Sequence, residues 1–134
     1  MLCVLLFTSV FAIAQSGSTA YHEVLSLLKD KGYSISTEQV ADLKQGETAY
    51  HFKTFYQNLD YVIVAMSDDD DVTDVDIYLY EENGDEYTKD TDTKNLAVVK
   101  MSPLVTRDMK IVIKNYASNS PNYGSKCRFV VAYK

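Results

Sequence analysis

At 134 residues, with 13 basic against 19 acidic side chains and a formal charge of −6, the chain suffices for one domain with its own core. Its charge disfavours nucleic-acid phosphates and anionic lipid as partners. A hydrophobic fraction of 46% and a charged fraction of 24% are those of an ordinary globular domain, while eleven tyrosines beside five glycines and two prolines suit strands with wet faces.

Residues 2–14, LCVLLFTSVFAIA, form an uncharged apolar run too short to span a bilayer, ending in the small-x-small pattern Ala12-Ile13-Ala14. This predicts a signal peptide over residues 1–14, cleaved before Gln15, and a secreted or periplasmic domain over residues 15–134. No Lys or Arg precedes the run, so the leader is atypical or starts upstream; the alternative is a buried strand or helix. Cys3 falls in this leader, which leaves Cys127 without an intrachain partner. In CRFVVAY, Cys127 shares a strand face with Phe129, Val131 and Tyr133 and is expected to be a small buried hydrophobe.

Over residues 18–31, Tyr21, Val24, Leu25 and Leu28 recur at helical spacing. Ser18 or Thr19 is placed to cap this amphipathic helix, and Gly32 to end it in a left-handed conformation. The stripe must pack on something, and the following sheet is the simplest cover; a partner surface is the alternative. His22 falls on the polar side.

After Gly32 the period becomes two. Tyr33, Ile35 and Thr37 alternate as a short strand, and the polar passage TEQVADLKQGE has no assigned conformation. Residues 48–55 predict a strand with Tyr50 and Phe52 on one face and His51, Lys53 and Phe55 on the other; His51, beside Lys53, is expected to be exposed. In YVIVAM both faces are apolar, as in an interior strand. Over residues 74–80, Val75, Ile77 and Leu79 face the core while Asp74, Asp76, Tyr78 and Tyr80 face water. Asn83-Gly84 then predicts a hairpin. Strands follow over residues 86–89, 95–101, 109–114 and 126–133, separated by polar turns; Lys110 and Lys114 mark a wet face. The fold expected is all-β: an antiparallel, jelly-roll-like β-sandwich of seven to eight strands with one N-terminal helix.

The run YVIVAMSDDDDVTDVDIYLYEENGDE, the DTDT turn, NLAVVKMSP and the late KIVIKNY strand resemble the bacterial pre-peptidase C-terminal domain family. The resemblance covers about residues 46–134 and rests on Asp74-Val75-Asp76-Ile77-Tyr78-Leu79-Tyr80 with Asn83-Gly84. It implies a jelly-roll sandwich and a non-catalytic module attached to secreted hydrolases, some members of which bind collagen or calcium. The helix lies outside the matched region, and no peptidase domain precedes it here.

Six carboxylates stand within nine residues, at Asp68 to Asp71, Asp74 and Asp76. Oxygen ligands at this density suit a hard cation, so calcium on Asp68, Asp70, Asp74 and Asp76 is one reading; a solvated turn that blocks edge pairing is the other. The loop lacks the glycine and terminal glutamate of an EF-hand. His22 and His51, on separate elements, make no transition-metal site. No G-x-S-x-G elbow, H-E-x-x-H helix or phosphate loop occurs, and the chain is read as a non-enzyme that requires no cofactor. The function expected is a binding module for a protein or polysaccharide through Tyr78, Tyr80 and Tyr123. The alternative is a calcium-stabilised structural domain of the cell envelope.

Overall fold

The computed structural model describes residues 17–134, so the leader over residues 1–14 lies outside the described residues. Helix α1 (Gly17–Asp30) is followed by eight strands: β1 (Ser34–Leu43), β2 (Thr48–Phe55), β3 (Tyr61–Ser67), β4 (Val72–Glu81), β5 (Glu86–Asp90), β6 (Leu96–Met101), β7 (Arg107–Ser118) and β8 (Ser125–Tyr133). They form two four-stranded sheets, ordered β1-β8-β3-β6 and β2-β7-β4-β5. Every paired neighbour is antiparallel.

Residues alternating inward on both sheets build the main core. Val75, Ile77 and Leu79 of β4 and Met109, Ile111 and Ile113 of β7 meet Ile63, Ala65, Phe129 and Val131 of the first sheet. Cys127 belongs to this core, fully buried as its strand pattern implied.

The helix makes a third layer. Tyr21, Val24 and Leu28 pack on Val62, Val64, Met66, Val130 and Ala132, the outer face of the first sheet. Strand β3 is therefore buried on both faces, one against the opposite sheet and the other against α1, which is why YVIVAM is apolar throughout. Burying a side chain such as Val24 or Leu28 is worth about 1.5–3 kcal/mol each. Gly32 has a φ of 86° and ends the helix as expected. Its N–H donates to the Lys29 carbonyl at 3.0 Å and that of Tyr33 to Leu28 at 3.0 Å, the paired bonds of a Schellman turn. Ser18 and Thr19 lie within α1 rather than at its cap.

The polar passage left unassigned continues β1 as an edge strand, paired with β8 through Leu43. Its residues are mostly exposed, so no apolar alternation marks it. The Asn83-Gly84 hairpin forms as expected: Gly84 has a φ of 92°, Glu81 N–H donates to the Asp85 carbonyl at 2.8 Å, and Asn83 Oδ1 accepts from Asp85 N–H at 3.0 Å.

Candidate functional site

Alternation along β2, β7 and β4 puts one set of side chains on the outward face of the second sheet. Register aligns Tyr50 with Val112 and Tyr78, and Phe52 with Lys110 and Tyr80. Tyr50 and Phe52 are 65% and 66% exposed and meet edge to face, with ring centroids 5.6 Å apart. Tyr78 and Tyr80, expected to be wet, are half-buried because they stack on each other, 6.2 Å apart at 11°. Between the two aromatic pairs runs β7, where Lys110 Nζ sits 4.9 Å from the Tyr50 ring centroid. An open groove of about 760 Å³ continues from Phe52 and Tyr80 to Glu81, Glu82 and Asp108. Apolar rings ringed by charged side chains are the usual anatomy of a recognition surface.

Tyr123 does not join this face. It is exposed on the β7–β8 connection, where its N–H donates to the Ser120 carbonyl at 3.1 Å. The run of β7 from Val112 to Ser118 places that connection about 20 Å along the strand from Tyr78, at the usual strand rise. Tyr50 and Phe52 are the face residues that pattern alone did not single out; their shared alternation was the available signal.

The acidic turn is knitted into the sandwich end. Asp69 Oδ1 accepts from Asp71 N–H at 2.9 Å, and Asp69 Oδ2 from Ser125 Oγ at 3.2 Å. Asp71 accepts from both the N–H and the Oγ of Ser120, at 3.0 and 3.1 Å. Asp68 pairs with Arg128, whose guanidinium lies 4.3 Å from the Tyr21 ring centroid, while the Tyr21 hydroxyl donates to Glu38. Burial, with Glu38 next in weight, pushes the Tyr21 hydroxyl up to about 12. Asp70 is exposed.

Asp74 and Asp76 stand apart from Asp68 and depart from the wet positions expected of them, being 4% and 2% exposed. The register shifts between Val72 and Val75 disturb the regular alternation there. Burial raises both carboxyls; the negative charge of Asp90 adds to the rise in Asp74, and that of Asp74 to the rise in Asp76. Tyr78 Oη donates to Asp76 Oδ2 at 3.3 Å. Among the described residues no three His, Cys, Asp or Glu side chains converge as a metal-ligand group.

Other reactive groups are packed away. His51 is half-buried rather than exposed, because the face it shares with Phe55 turns inward; its ring lies 5.9 Å from that of Phe129. Burial pushes the Cys127 thiol up to about 11. His22 is exposed on α1, as its position on the polar side of the helix implied.

The fold resembles solved structures of two proteins. The pre-peptidase C-terminal domain of a collagenase from Bacillus anthracis matches with a TM-score of 0.55 at 11% identity, over 72% of this chain and 89% of that one. PliG of Aeromonas hydrophila, a periplasmic inhibitor of g-type lysozyme, matches with a TM-score of 0.56 at 6% identity, over 78% of this chain and 90% of that one. The first agrees with the resemblance carried by residues 46–134, at the level of fold. No protein-family profile and no curated protein sequence matches the chain.

Proposed function

We propose that the chain is a non-catalytic binding module, secreted or periplasmic, which takes a protein or polysaccharide partner on the outward face of the β2-β7-β4-β5 sheet. The observation that carries this reading is the pair Tyr50 and Phe52, two-thirds exposed beside the stacked Tyr78 and Tyr80. Large rings held in place by neighbouring rings lose little entropy on binding and supply much contact area. The structural neighbours support the same reading: one is a domain of a collagenase and the other a periplasmic inhibitor of g-type lysozyme. The non-catalytic part is supported by where the chain's reactive side chains lie among the described residues, Cys127 in the core and His51 packed against Phe129.

The test is a panel of defined probes: insoluble peptidoglycan, fibrillar collagen and a g-type lysozyme. Each is offered to the wild-type chain, to Tyr50→Ala/Phe52→Ala and to Tyr123→Ala. Retention of one probe by wild type and Tyr123→Ala but not by the double variant supports the sheet face. Equal retention by all three removes it.

A further inference from the structure

Strand β7 runs along the middle of the second sheet with β2 on one side and β4 on the other, and their register sets the outward side chains in rows. One row is Tyr50-Val112-Tyr78, the next is Phe52-Lys110-Tyr80, and beyond them Thr54 stands opposite Asp108. Aromatic side chains thus form two walls, and β7 is the floor between them. The walls rise from main chains two strand spacings apart, about 10 Å. The groove of about 760 Å³ opens between Phe52 and Tyr80, with Lys110, Asp108 and Glu82 in its lining.

These dimensions and groups select among occupants. A helix with its side chains is about 10–12 Å across, wider than the space left between two rows of rings. An extended peptide fits the width, but every residue it buries brings an N–H and a C=O that need partners. The floor supplies no main-chain partner, because β7 is paired on both sides with β2 and β4, and β4 in turn with β7 and β5. A chain of pyranose rings makes no such demand. Its C–H bonds form apolar faces that lie against aromatic walls, while its hydroxyls stand at the ring edges, in water or within reach of polar side chains.

Charge narrows the class further. Glu81, Glu82 and Asp108 line the groove against Lys53 and Lys110. Glu81 is paired with Arg107, Asp108 Oδ1 accepts from Thr54 Oγ1, and Lys110 lies over the Tyr50 ring. Glu82 is exposed at the rim. An acidic lining on a chain of formal charge −6 repels a polyanion. The same carboxylates accept strong, charge-assisted bonds from neutral hydroxyls.

We infer that the groove over β7 takes a linear, uncharged polysaccharide, with sugar rings against Phe52 and Tyr80 and hydroxyls donating to Glu82 and Asp108. The inference rests on the sheet-face reading above and names the occupant of that face.

Calorimetric titration of the full chain with uncharged β-linked oligosaccharides of glucose, N-acetylglucosamine, xylose and mannose tests it, with oligogalacturonate as the charged arm. At least one uncharged oligosaccharide should bind, and oligogalacturonate should bind far more weakly. Phe52→Ala should weaken binding about tenfold or more, the effect of losing an anchor side chain. Glu82→Gln should weaken it about threefold, the effect of one hydrogen bond. Tyr123→Ala should leave it unchanged. Phe52 and Glu82 are both exposed, so neither substitution removes a core contact, and a thermal melt of each variant checks its fold.

The inference is overturned if no uncharged oligosaccharide binds up to about 10 mM, ten times a weak Kd of about 1 mM. If collagen or g-type lysozyme is then retained by wild type and lost from Tyr50→Ala/Phe52→Ala, the sheet face stands and only its occupant is wrong. Oligogalacturonate binding as tightly as the uncharged chains also overturns it. Uncharged binding that survives both Phe52→Ala and Glu82→Gln overturns it too, and counts against the face as well.

Discussion

Lys110 Nζ sits 4.9 Å from the centroid of the Tyr50 ring, so a cation of the central strand β7 fixes an aromatic side chain of the edge strand β2. The contact holds an exposed ring in one orientation at an energy of about 0.5–1 kcal/mol. A face with its rings preset loses less freedom when a partner arrives. Lys110→Ala should therefore weaken partner retention by about threefold to tenfold while costing no more than about 1 kcal/mol of stability, the energy of the contact itself. Unchanged retention would mean that Tyr50 needs no such support.

Replacing the rings themselves has a larger expected effect. Tyr78→Ala/Tyr80→Ala removes the stacked pair, and anchor side chains of this kind cost about 2 kcal/mol or more, some thirtyfold in affinity. The pair is half-buried, so the variant's urea midpoint must be measured alongside. Lost retention at full occupancy of the folded state supports an anchor role; retention unaltered opposes it.

The helix is held by packing and by a polar latch. Leu28→Ala empties a site that is 2% exposed and should cost about 2–5 kcal/mol in urea unfolding. Tyr21→Phe keeps the ring but removes the hydroxyl's bonds to Glu38 and Arg128, and should cost about 1–2 kcal/mol. Comparable losses in the two variants would contradict a helix held mainly by its apolar stripe.

Much of this architecture is legible in the sequence, and the exceptions have physical causes. The alternation of Val75, Ile77 and Leu79, the Asn83-Gly84 hairpin and the stripe of Tyr21, Val24 and Leu28 each report a repeating burial, and each forms as the pattern implies. Strand β1 is only partly readable: Ile35 and Thr37 alternate, but past them Glu38, Gln39 and Val40 are all exposed on this edge strand, so the pattern lapses. His51, expected to be exposed, turns inward: both faces of β2 carry aromatic groups, and pairing with β7 decides which one faces the core. Asp74 is buried at a bulge in β4, and the β5–β6 connection reaches Val75 through Lys94 from a distance in sequence, neither of which local periodicity encodes.

Acid should reveal the buried pair Asp74 and Asp76. Burial raises both carboxyls in the folded state, relative to about 3.9 in an unfolded chain. The folded protein therefore holds these protons more tightly; the stabilisation is complete below the unfolded value and is lost as pH rises through the folded ones. In EDTA, the stability of wild type minus that of Asp74→Asn/Asp76→Asn should increase as pH falls from 7 to 4. A flat difference would show that the two carboxyls are not destabilised by their setting.

Cys127 offers a check on the core. With its thiol pushed up to about 11 and its side chain fully buried, it should resist iodoacetamide at pH 8 in native buffer and react rapidly in denaturant. Rapid native labelling would indicate that β8 opens from the sandwich.

The central claim is that a partner docks on the outward face of the second sheet. Amide chemical-shift mapping of the isotopically labelled chain, titrated with whichever panel probe it retains, tests this most directly. The account predicts perturbations gathered at Tyr50, Phe52, Tyr78, Tyr80, Lys110 and Val112. Perturbations gathered instead around Asp68 to Asp71 and Tyr123, or on the exposed side of α1, would contradict it.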